Sequence, residues 1–175
     1  MDYQNKRLKL IKQDQGMEYY VYTPTFFHPV LESVEKISLK KRLRYMRNYL
    51  RKERFVVYYL KDGGELVSMC AVTPGGKGLK TKFATPDDII LGPSYTIPKF
   101  RNKGYSKALL KFILANHPDY TYAYGIIANG NLSSIHVSKA CGFELYQEMR
   151  LVGIFRKQCI CESNSTHQII RFVHP

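Results

Sequence analysis

The feature that most constrains this sequence is a strand that leads into a helix through a basic, glycine-containing turn. The strand is predicted over residues 88–97, and the turn reads FRNKG at residues 100–104. The helix that follows carries an apolar stripe at helical spacing, formed by Tyr105, Ala108, Leu109, Phe112 and Ile113. We expect it to end near Asn116, because Pro118 follows. The turn therefore stands at the N-terminus of a predicted helix.

Residues 101–106 carry the chemistry of an anion site. The first backbone N–H groups of a helix have no partner within it, and the helix dipole favours negative charge there. Gly104 lets a ligand approach the backbone, while Arg101, Lys103 and Lys107 supply positive charge. These residues predict either a phosphate cradle or an ordinary strand-to-helix turn, and the physical chemistry alone leaves both open.

The rest of the chain is predicted to contain further strands and helices. Residues 17–27 indicate a strand, and residues 29–53 indicate a basic helix. Two strand-like runs within residues 54–72 are joined by DGG at residues 62–64, which predicts an antiparallel hairpin because these residues accept positive φ at low cost. The later predictions are a glycine-rich loop at 73–86, a strand at 120–129, a helix from 131 closed by Gly142, one or two strands within 145–160, and a last strand at 167–173.

Two motifs together resemble the GNAT family of acyl-CoA N-acyltransferases. In IPKFRNKGYSKALL, Arg101 and Gly104 match the family's pyrophosphate loop, Arg/Gln-x-x-Gly-x-Gly/Ala, and Ser106 stands at its last small residue. In NGNLSSIHVSKACGFE, one strand later, Asn131 begins the next helix and Gly142 with Phe143 closes it, as is typical of the family. The order of the two motifs makes the resemblance more specific than either motif alone.

The resemblance implies an α+β fold of the GNAT type. Its sheet would be mixed and mostly antiparallel, with about six to seven strands and helices on both faces. Strands near residues 91–97 and 122–128 would run parallel and splay apart. We expect one domain over residues 1–175, with residues 55–157 as the CoA-binding core and residues 1–54 on the acceptor side.

Acetyl-CoA is the co-substrate that the resemblance implies, and no metal is expected. The pantetheine arm would lie between the splayed strands and bond to backbone near residues 95–97, with the pyrophosphate on residues 101–106 and Asn131 facing the arm. The implied cofactor-binding residues are Tyr95, Thr96, Ile97, Arg101, Asn102, Lys103, Gly104, Tyr105, Ser106, Asn131 and Ser134.

The catalytic groups are less well defined by the sequence. Many GNAT enzymes have a Tyr seven positions after the Asn to protonate the leaving thiolate, but here that position is Ser138, and a Ser hydroxyl is a poorer acid. The candidates for acid and base are Ser138, Asp88 and Tyr146. The structural alternative for Asp88 is that it only begins the strand, and for Tyr146 that it only packs in the core. Water is another candidate source of the proton for the leaving thiolate.

Composition limits the partners. The formal net charge of +13 favours an acidic partner, and the predicted basic helix at residues 36–54 is either a solvated face or a binding patch. Nucleic-acid binding is the disfavoured alternative, because no reader motif is present. No apolar run is long enough to cross a membrane, and a cytoplasmic location is expected. The four cysteines are interpreted as free thiols, and a zinc site at Cys159 and Cys161 is disfavoured because a second matching pair is missing.

The function expected from these observations is transfer of an acetyl group to a primary amine by direct attack in a ternary complex. A small amine or amino sugar is preferred as acceptor over a protein N-terminus or lysine side chain. A catalytically silent CoA-binding domain is the alternative that Ser138 motivates. A homodimer is among the expected states of assembly.

Overall fold

The computed structural model describes residues 7–25, 28–31, 55–76, 83–152, 157–161 and 163–174. The basic helix predicted at residues 36–54 lies outside these ranges. No helix within them is long and apolar enough to span a membrane. The chain forms two compact units, one of Met1–Thr73 and Pro93–Ile113, the other of Pro74–Gly92 and Leu114–Pro175. The prediction of a single domain over residues 1–175 remains a prediction.

The first unit contains an antiparallel meander of four strands. These are β1 (Leu8–Asp14), β2 (Met17–Tyr22), β3 (Val56–Asp62) and β4 (Glu65–Pro74), and neighbours along the chain pair with one another. The turn between β3 and β4 places Gly63 and Gly64 at φ 55° and 81°, which confirms the predicted hairpin. Strand β1 was not predicted, because its apolar alternation is limited to Leu8 and Leu10 and almost all of its residues are exposed.

The core of the first unit lies between this meander and its neighbouring segments. It contains Tyr22, Val30, Leu31, Phe55, Val57, Tyr59, Met69 and Ala71. Two tyrosine hydroxyls in it reach the backbone of residues 28–31: Tyr22 donates to the His28 carbonyl at 2.8 Å, and the Leu31 N–H donates to Tyr59 at 2.8 Å. Helix α1 (Tyr105–Asn116) contributes Phe112, which stacks on Tyr19 at 4.2 Å between ring centroids.

The second unit contains the parallel strand pair. Strand β5 (Ile89–Thr96) begins in this unit, and residues Ile89 to Leu91 pair in parallel with Ala123 to Gly125 of β6 (Tyr122–Ala128). Three more strands, β7 (Glu144–Val152), β8 (Lys157–Ile160) and β9 (His167–Val173), give the order β5-β6-β9-β7-β8. All of these later pairings are antiparallel. The predicted mixed sheet with a parallel pair is confirmed, and the described residues form nine strands.

Helix α2 (Leu132–Lys139) and the core complete the second unit. The core contains Ala84, Ile90, Tyr124, Met149 and Ile169. Helix α2 is closed by Gly142, as the sequence predicted. Gly142 adopts φ 88°, and the Phe143 N–H donates a hydrogen bond to the Ser138 carbonyl at 3.1 Å.

Candidate functional site

The turn before helix α1 has a backbone shaped by two left-handed residues. After a single 3-10 turn at Pro98–Phe100, Asn102 adopts φ 62° and Gly104 adopts φ 82°. The first α-helical bond runs from the Ala108 N–H to the Gly104 carbonyl at 2.9 Å. The N–H groups of residues 104–106 donate to no other described residue. The helix therefore presents unsatisfied donors at its N-terminus, as predicted for this turn.

The same turn is open and positively charged. A Cβ atom added to Gly104 would meet no heavy atom within 4 Å, and residues 101–104 are all exposed. The Arg101 side chain folds back over the turn, where Nε donates to the Thr96 carbonyl at 3.2 Å and Cζ lies 5.8 Å from the Tyr95 ring centroid. Open space, backbone donors and cationic side chains together fit a bound phosphate or pyrophosphate group.

Two hydrogen bonds tie this turn to the β3–β4 hairpin. The Tyr105 hydroxyl donates to Asp62 Oδ2, and Lys99 Nζ donates to Glu65 Oε2 at 2.5 Å. The bond to Asp62 raises the pKa of Tyr105, with smaller contributions from burial and from the carboxylate charge. Both partners flank the hairpin turn, and they lie 43 and 34 residues from the side chains they bind. Sequence reasoning missed these tethers because no local pattern signals contacts at that separation.

Residues 95–97 of the first unit are bonded mainly to β4. The Ile97 N–H donates to the Val67 carbonyl at 3.1 Å, and the buried Ser68 hydroxyl donates to the Tyr95 carbonyl at 3.2 Å. The Ser68 and Thr96 hydroxyls lie 2.9 Å apart. Several polar groups of this stretch therefore already have protein partners, which fixes its position. Its predicted role in binding the pantetheine arm remains a prediction.

The remaining predicted site residues belong to the second unit. Asn131 caps helix α2, because its Oδ1 atom accepts a hydrogen bond from the Ser134 N–H at 3.2 Å. Ser138, on the last turn of the same helix, is 8% exposed. The first unit thus holds the predicted residues from Tyr95 to Ser106, and the second unit holds Asn131, Ser134 and the three catalytic candidates.

Asp88 is buried, and its carboxylate is bonded on both oxygens. Oδ2 accepts hydrogen bonds from the Thr85 N–H at 2.6 Å and the Thr85 hydroxyl at 2.9 Å, and Oδ1 accepts one from the Tyr122 N–H at 3.1 Å. The side chain is 2% exposed. These bonds join the turn before β5 to the start of β6. They give Asp88 a structural task, and its predicted catalytic role remains a prediction.

Tyr146 lies beside Arg171, and no sequence pattern predicted this contact. Its ring centroid is 4.4 Å from Arg171 Cζ and 5.6 Å from the Tyr124 ring centroid. Arg171 is a single charged residue in the apolar strand HQIIRFV, so only the sheet register shows which side chains surround it.

Asn129 is a second polar residue that sequence reasoning missed. Its Nδ2 atom donates to the Ser165 carbonyl at 3.0 Å and to the Ser165 hydroxyl at 3.1 Å. Its Oδ1 atom is buried and accepts no hydrogen bond from the described residues. Such an orphaned acceptor, directly after β6, fits an amide N–H of a ligand. Within the described ranges, no group of three or more His, Cys, Asp or Glu side chains is placed to hold a metal ion.

Comparison with solved structures shows the same fold in several proteins, among them two named acetyltransferases. An uncharacterized protein from Bacillus halodurans has a TM-score of 0.64 and 15% identity, covering 90% of this chain and 84% of that one. A spermidine N-acetyltransferase from Vibrio cholerae, solved with CoA and spermine, has a TM-score of 0.58 and 10% identity, covering 89% and 95%. The ribosomal-protein-S18-alanine N-acetyltransferase from Escherichia coli has a TM-score of 0.58 and 10% identity, covering 89% and 94%.

A search of curated protein sequences found no significant match. The model of the acetyltransferase (GNAT) family, in contrast, matches residues 19–143. This range begins within β2 and ends at Phe143, shortly after helix α2. This range includes the basic turn before α1 and the motif that begins at Asn131. The match confirms the resemblance seen in the two motifs, and the chain belongs to the acetyltransferase (GNAT) family.

Proposed function

We propose that this protein transfers an acetyl group from acetyl-CoA to a primary amine by direct attack of the amine in a ternary complex. The observation that carries the proposal is the turn at residues 101–106, which combines free N–H donors, open space at Gly104 and positive charge. Membership of the acetyltransferase (GNAT) family supports it. When bound, acetyl-CoA would supply the activated acyl group and the thiol leaving group.

The residues of the first unit fit the anionic part of acetyl-CoA. The N–H groups of residues 104–106 would donate to pyrophosphate oxygens, and Arg101 and Lys103 would offset their charge. The tethers from Asp62 and Glu65 hold the turn in place before a ligand arrives, so that less ordering is required on binding.

In the second unit, Asn129 and Asn131 are the polar residues best suited to the cofactor arm. The orphaned Oδ1 atom of Asn129 can accept a hydrogen bond from an amide N–H of the arm. Asn131 keeps its Nδ2 donors available, because only its Oδ1 atom serves as the helix cap. These assignments extend the predicted set by one residue, Asn129.

The amine must be neutral to attack, and this requirement favours weakly basic acceptors. Holding a lysine-like amine with pKa about 10.4 neutral at pH 7 costs about 4.6 kcal/mol, whereas a sugar amine costs less. Ser138, Asp88 and Tyr146 remain the candidates for proton transfer. Ser138 and Asp88 are both buried, and Asp88 already accepts three hydrogen bonds, so a small amine or amino sugar that needs little help is the preferred acceptor.

Structural neighbours support an amine as the acceptor class. One is a spermidine N-acetyltransferase and another acts on the alanine of a ribosomal protein, as their names state. Both names state transfer to nitrogen, and an amine is the group that we propose this chain acetylates.

A catalytically silent CoA-binding domain is the second candidate, because Ser138 stands where many relatives have a tyrosine. A panel of amines, amino sugars and N-terminal peptides assayed for CoA release from acetyl-CoA separates the two. Turnover of any acceptor supports the enzyme, whereas tight binding of acetyl-CoA with no turnover supports the silent domain. Folded protein that fails to bind acetyl-CoA would exclude both.

A further inference from the structure

Arg171 lies between the rings of two tyrosines that come from different strands. Strand β9 is flanked by β6 and β7, and each neighbour contributes one ring. Arg171 Cζ is 4.9 Å from the centroid of the Tyr122 ring on β6 and 4.4 Å from that of Tyr146 on β7. Both distances are within the range of cation–π interaction, so the guanidinium lies over two aromatic rings.

A β-bulge contributes to this arrangement. On β7, Leu145 pairs with Ile170 and Gln147 pairs with Ile169, so Tyr146 is an extra residue opposite β9. Bulges commonly re-aim a side chain, and they are frequent beside functional sites. Here the ring of Tyr146 packs against the cluster that contains Tyr124 and Ile169, on the side where Arg171 lies.

The charge of Arg171 has no acidic partner in the described part of the chain. No carboxylate there lies within 4 Å of its guanidinium. Glu144 stands directly opposite Arg171 on β7, but it is exposed and forms no ion pair with it. Arg171 itself is only partly exposed. A partly desolvated cation without a counterion is costly, and an incoming anion would offset that cost.

The edge of the guanidinium is the part suited to such an anion. Carboxylate and phosphate groups bind an arginine in the plane of its N–H groups, and such binding is compatible with cation–π contacts to aromatic rings. Burial raises the pKa of Tyr124, and the neighbouring Arg171 opposes that shift, so the Tyr124 hydroxyl is protonated at neutral pH and able to donate. Arg171 also lines a surface pocket with Glu144 and Leu145.

We propose that Arg171, held by Tyr122 and Tyr146 and assisted by Tyr124, binds an anionic group of the acceptor, so that the acceptor is an amine bearing a carboxylate or a phosphate. This inference rests on the proposed acetyl transfer. The pyrophosphate of the cofactor is assigned to the turn at residues 101–106 in the first unit, and Arg171 in the second unit is assigned to the other substrate.

Matched pairs of amines test the inference. Ethanolamine is compared with O-phosphoethanolamine, and glycinamide with glycine, by kcat/KM for acetyl transfer from acetyl-CoA. An anionic group raises the pKa of the amine beside it, so within each pair the charged member has less neutral amine at a given pH. We therefore expect Arg171→Gln to lower the charged-to-uncharged ratio of kcat/KM by about tenfold or more, as for the loss of a charge-assisted hydrogen bond. A fall for the phosphate pair alone or the carboxylate pair alone identifies the source of the anion. An unchanged ratio in both pairs would overturn the proposal.

Variants separate binding of the anion from a structural role. Arg171→Lys is expected to lower the charged-to-uncharged ratio less than Arg171→Gln does. Glu144→Gln is expected to increase the ratio, because it removes a nearby negative charge. The matched control is Arg150→Gln, an exposed arginine on β7 that should leave the ratio unchanged. A purely structural Arg171 would instead lower kcat/KM equally for both members of a pair.

A binding measurement decides the matter if no amine of the panel is acetylated. Inorganic phosphate and acetate are titrated into the acetyl-CoA-bound protein, and the Arg171 Nε–H resonance, assigned with Arg171→Gln, is followed by NMR. A saturable shift with either anion supports the site, and no shift with both would overturn it. Loss of acetyl-CoA binding itself would contradict the proposed function instead, so the two failures are distinguishable.

Discussion

The hydroxyl of Tyr105 donates a hydrogen bond to the carboxylate of Asp62, which joins the first residue of helix α1 to the last residue of β3. Asp62 thereby connects the turn at residues 100–104 to the hairpin turn at Gly63 and Gly64. The neighbouring pair of Lys99 and Glu65 makes a second connection between the same two segments. The turn is thus positioned by two carboxylates, Asp62 and Glu65, that lie outside the pyrophosphate-loop motif.

Tyr105→Phe removes this tether without removing the ring. We expect the Kd for acetyl-CoA to rise by about three- to tenfold, because one hydrogen bond to a charged group is lost and the turn must be ordered on binding. Isothermal titration measures the change. The control is Tyr20→Phe, which removes a similar bond from a tyrosine hydroxyl to Glu18 on the meander. An equal change in both variants would show that the tether does not act on the cofactor turn.

Asp88→Asn is expected to destabilise the fold by about 1 to 3 kcal/mol. An amide offers one oxygen where the carboxylate offers two, so at least one donor among the Thr85 N–H, the Thr85 hydroxyl and the Tyr122 N–H loses its acceptor. Urea denaturation measures the free energy of unfolding. Asp87→Asn is the control, because Asp87 is adjacent and exposed. Unchanged stability with lost acetyl transfer would indicate a catalytic role for Asp88 instead.

Burial of Tyr120 makes the free energy of unfolding fall as the pH rises above 10. It is 7% exposed, its hydroxyl donates to the Leu114 carbonyl at 2.7 Å, and burial raises its pKa to about 12. An unfolded tyrosine loses its proton near pH 10, so between pH 10 and 12 the unfolded state binds fewer protons than the native state. The contribution of Tyr120 is therefore complete below pH 10 and is lost as pH rises toward 12.

Urea denaturation of wild type and Tyr120→Phe at pH 8 and pH 11.5 measures this contribution. Other tyrosines and the lysines titrate in the same range, so only the difference between the two proteins is informative. We expect the phenylalanine variant to lose less stability than wild type over this interval, by roughly 2 kcal/mol. Equal losses in the two proteins would contradict the raised pKa.

Local sequence patterns predicted those parts of the fold that local physics determines. The hairpin at residues 62–64 follows from glycines at positive φ, and the ends of α2 follow from the Asn131 cap and the left-handed Gly142. The turn before α1 was predicted for the same reason, since Gly104 and the exposed N–H groups are adjacent in sequence. Strand β1 lacks any such pattern because nearly every residue in it is exposed.

The features that the sequence did not reveal depend on register and long-range contacts. Tyr105 reaches Asp62 across 43 residues, and Asn129 reaches Ser165 across 36. Arg171 contacts two tyrosines because β9 is inserted between β6 and β7, each of which contributes one ring. On β7 that ring belongs to Tyr146, which is the extra residue of a bulge opposite Ile169 and Ile170. A one-residue change of register would place the arginine on the other face of the sheet, and no single-sequence pattern specifies that register.

The binding of acetyl-CoA at the turn before α1 is the central claim, and a pair of glycine variants tests it most directly. Gly104 and Gly16 are both exposed, both adopt φ 82°, and neither has a heavy atom within 4 Å of the position of a Cβ atom. Gly104→Trp and Gly16→Trp therefore impose similar backbone strain, but only the first places a bulky ring at the proposed cofactor turn.

Isothermal titration of acetyl-CoA into wild type and both variants is the decisive measurement, with folding of each protein verified by circular dichroism. We expect wild type and Gly16→Trp to bind with similar Kd and Gly104→Trp to lose measurable binding. Similar Kd values for Gly104→Trp and Gly16→Trp, or no binding by folded wild type, would contradict the assignment of this turn as the cofactor site.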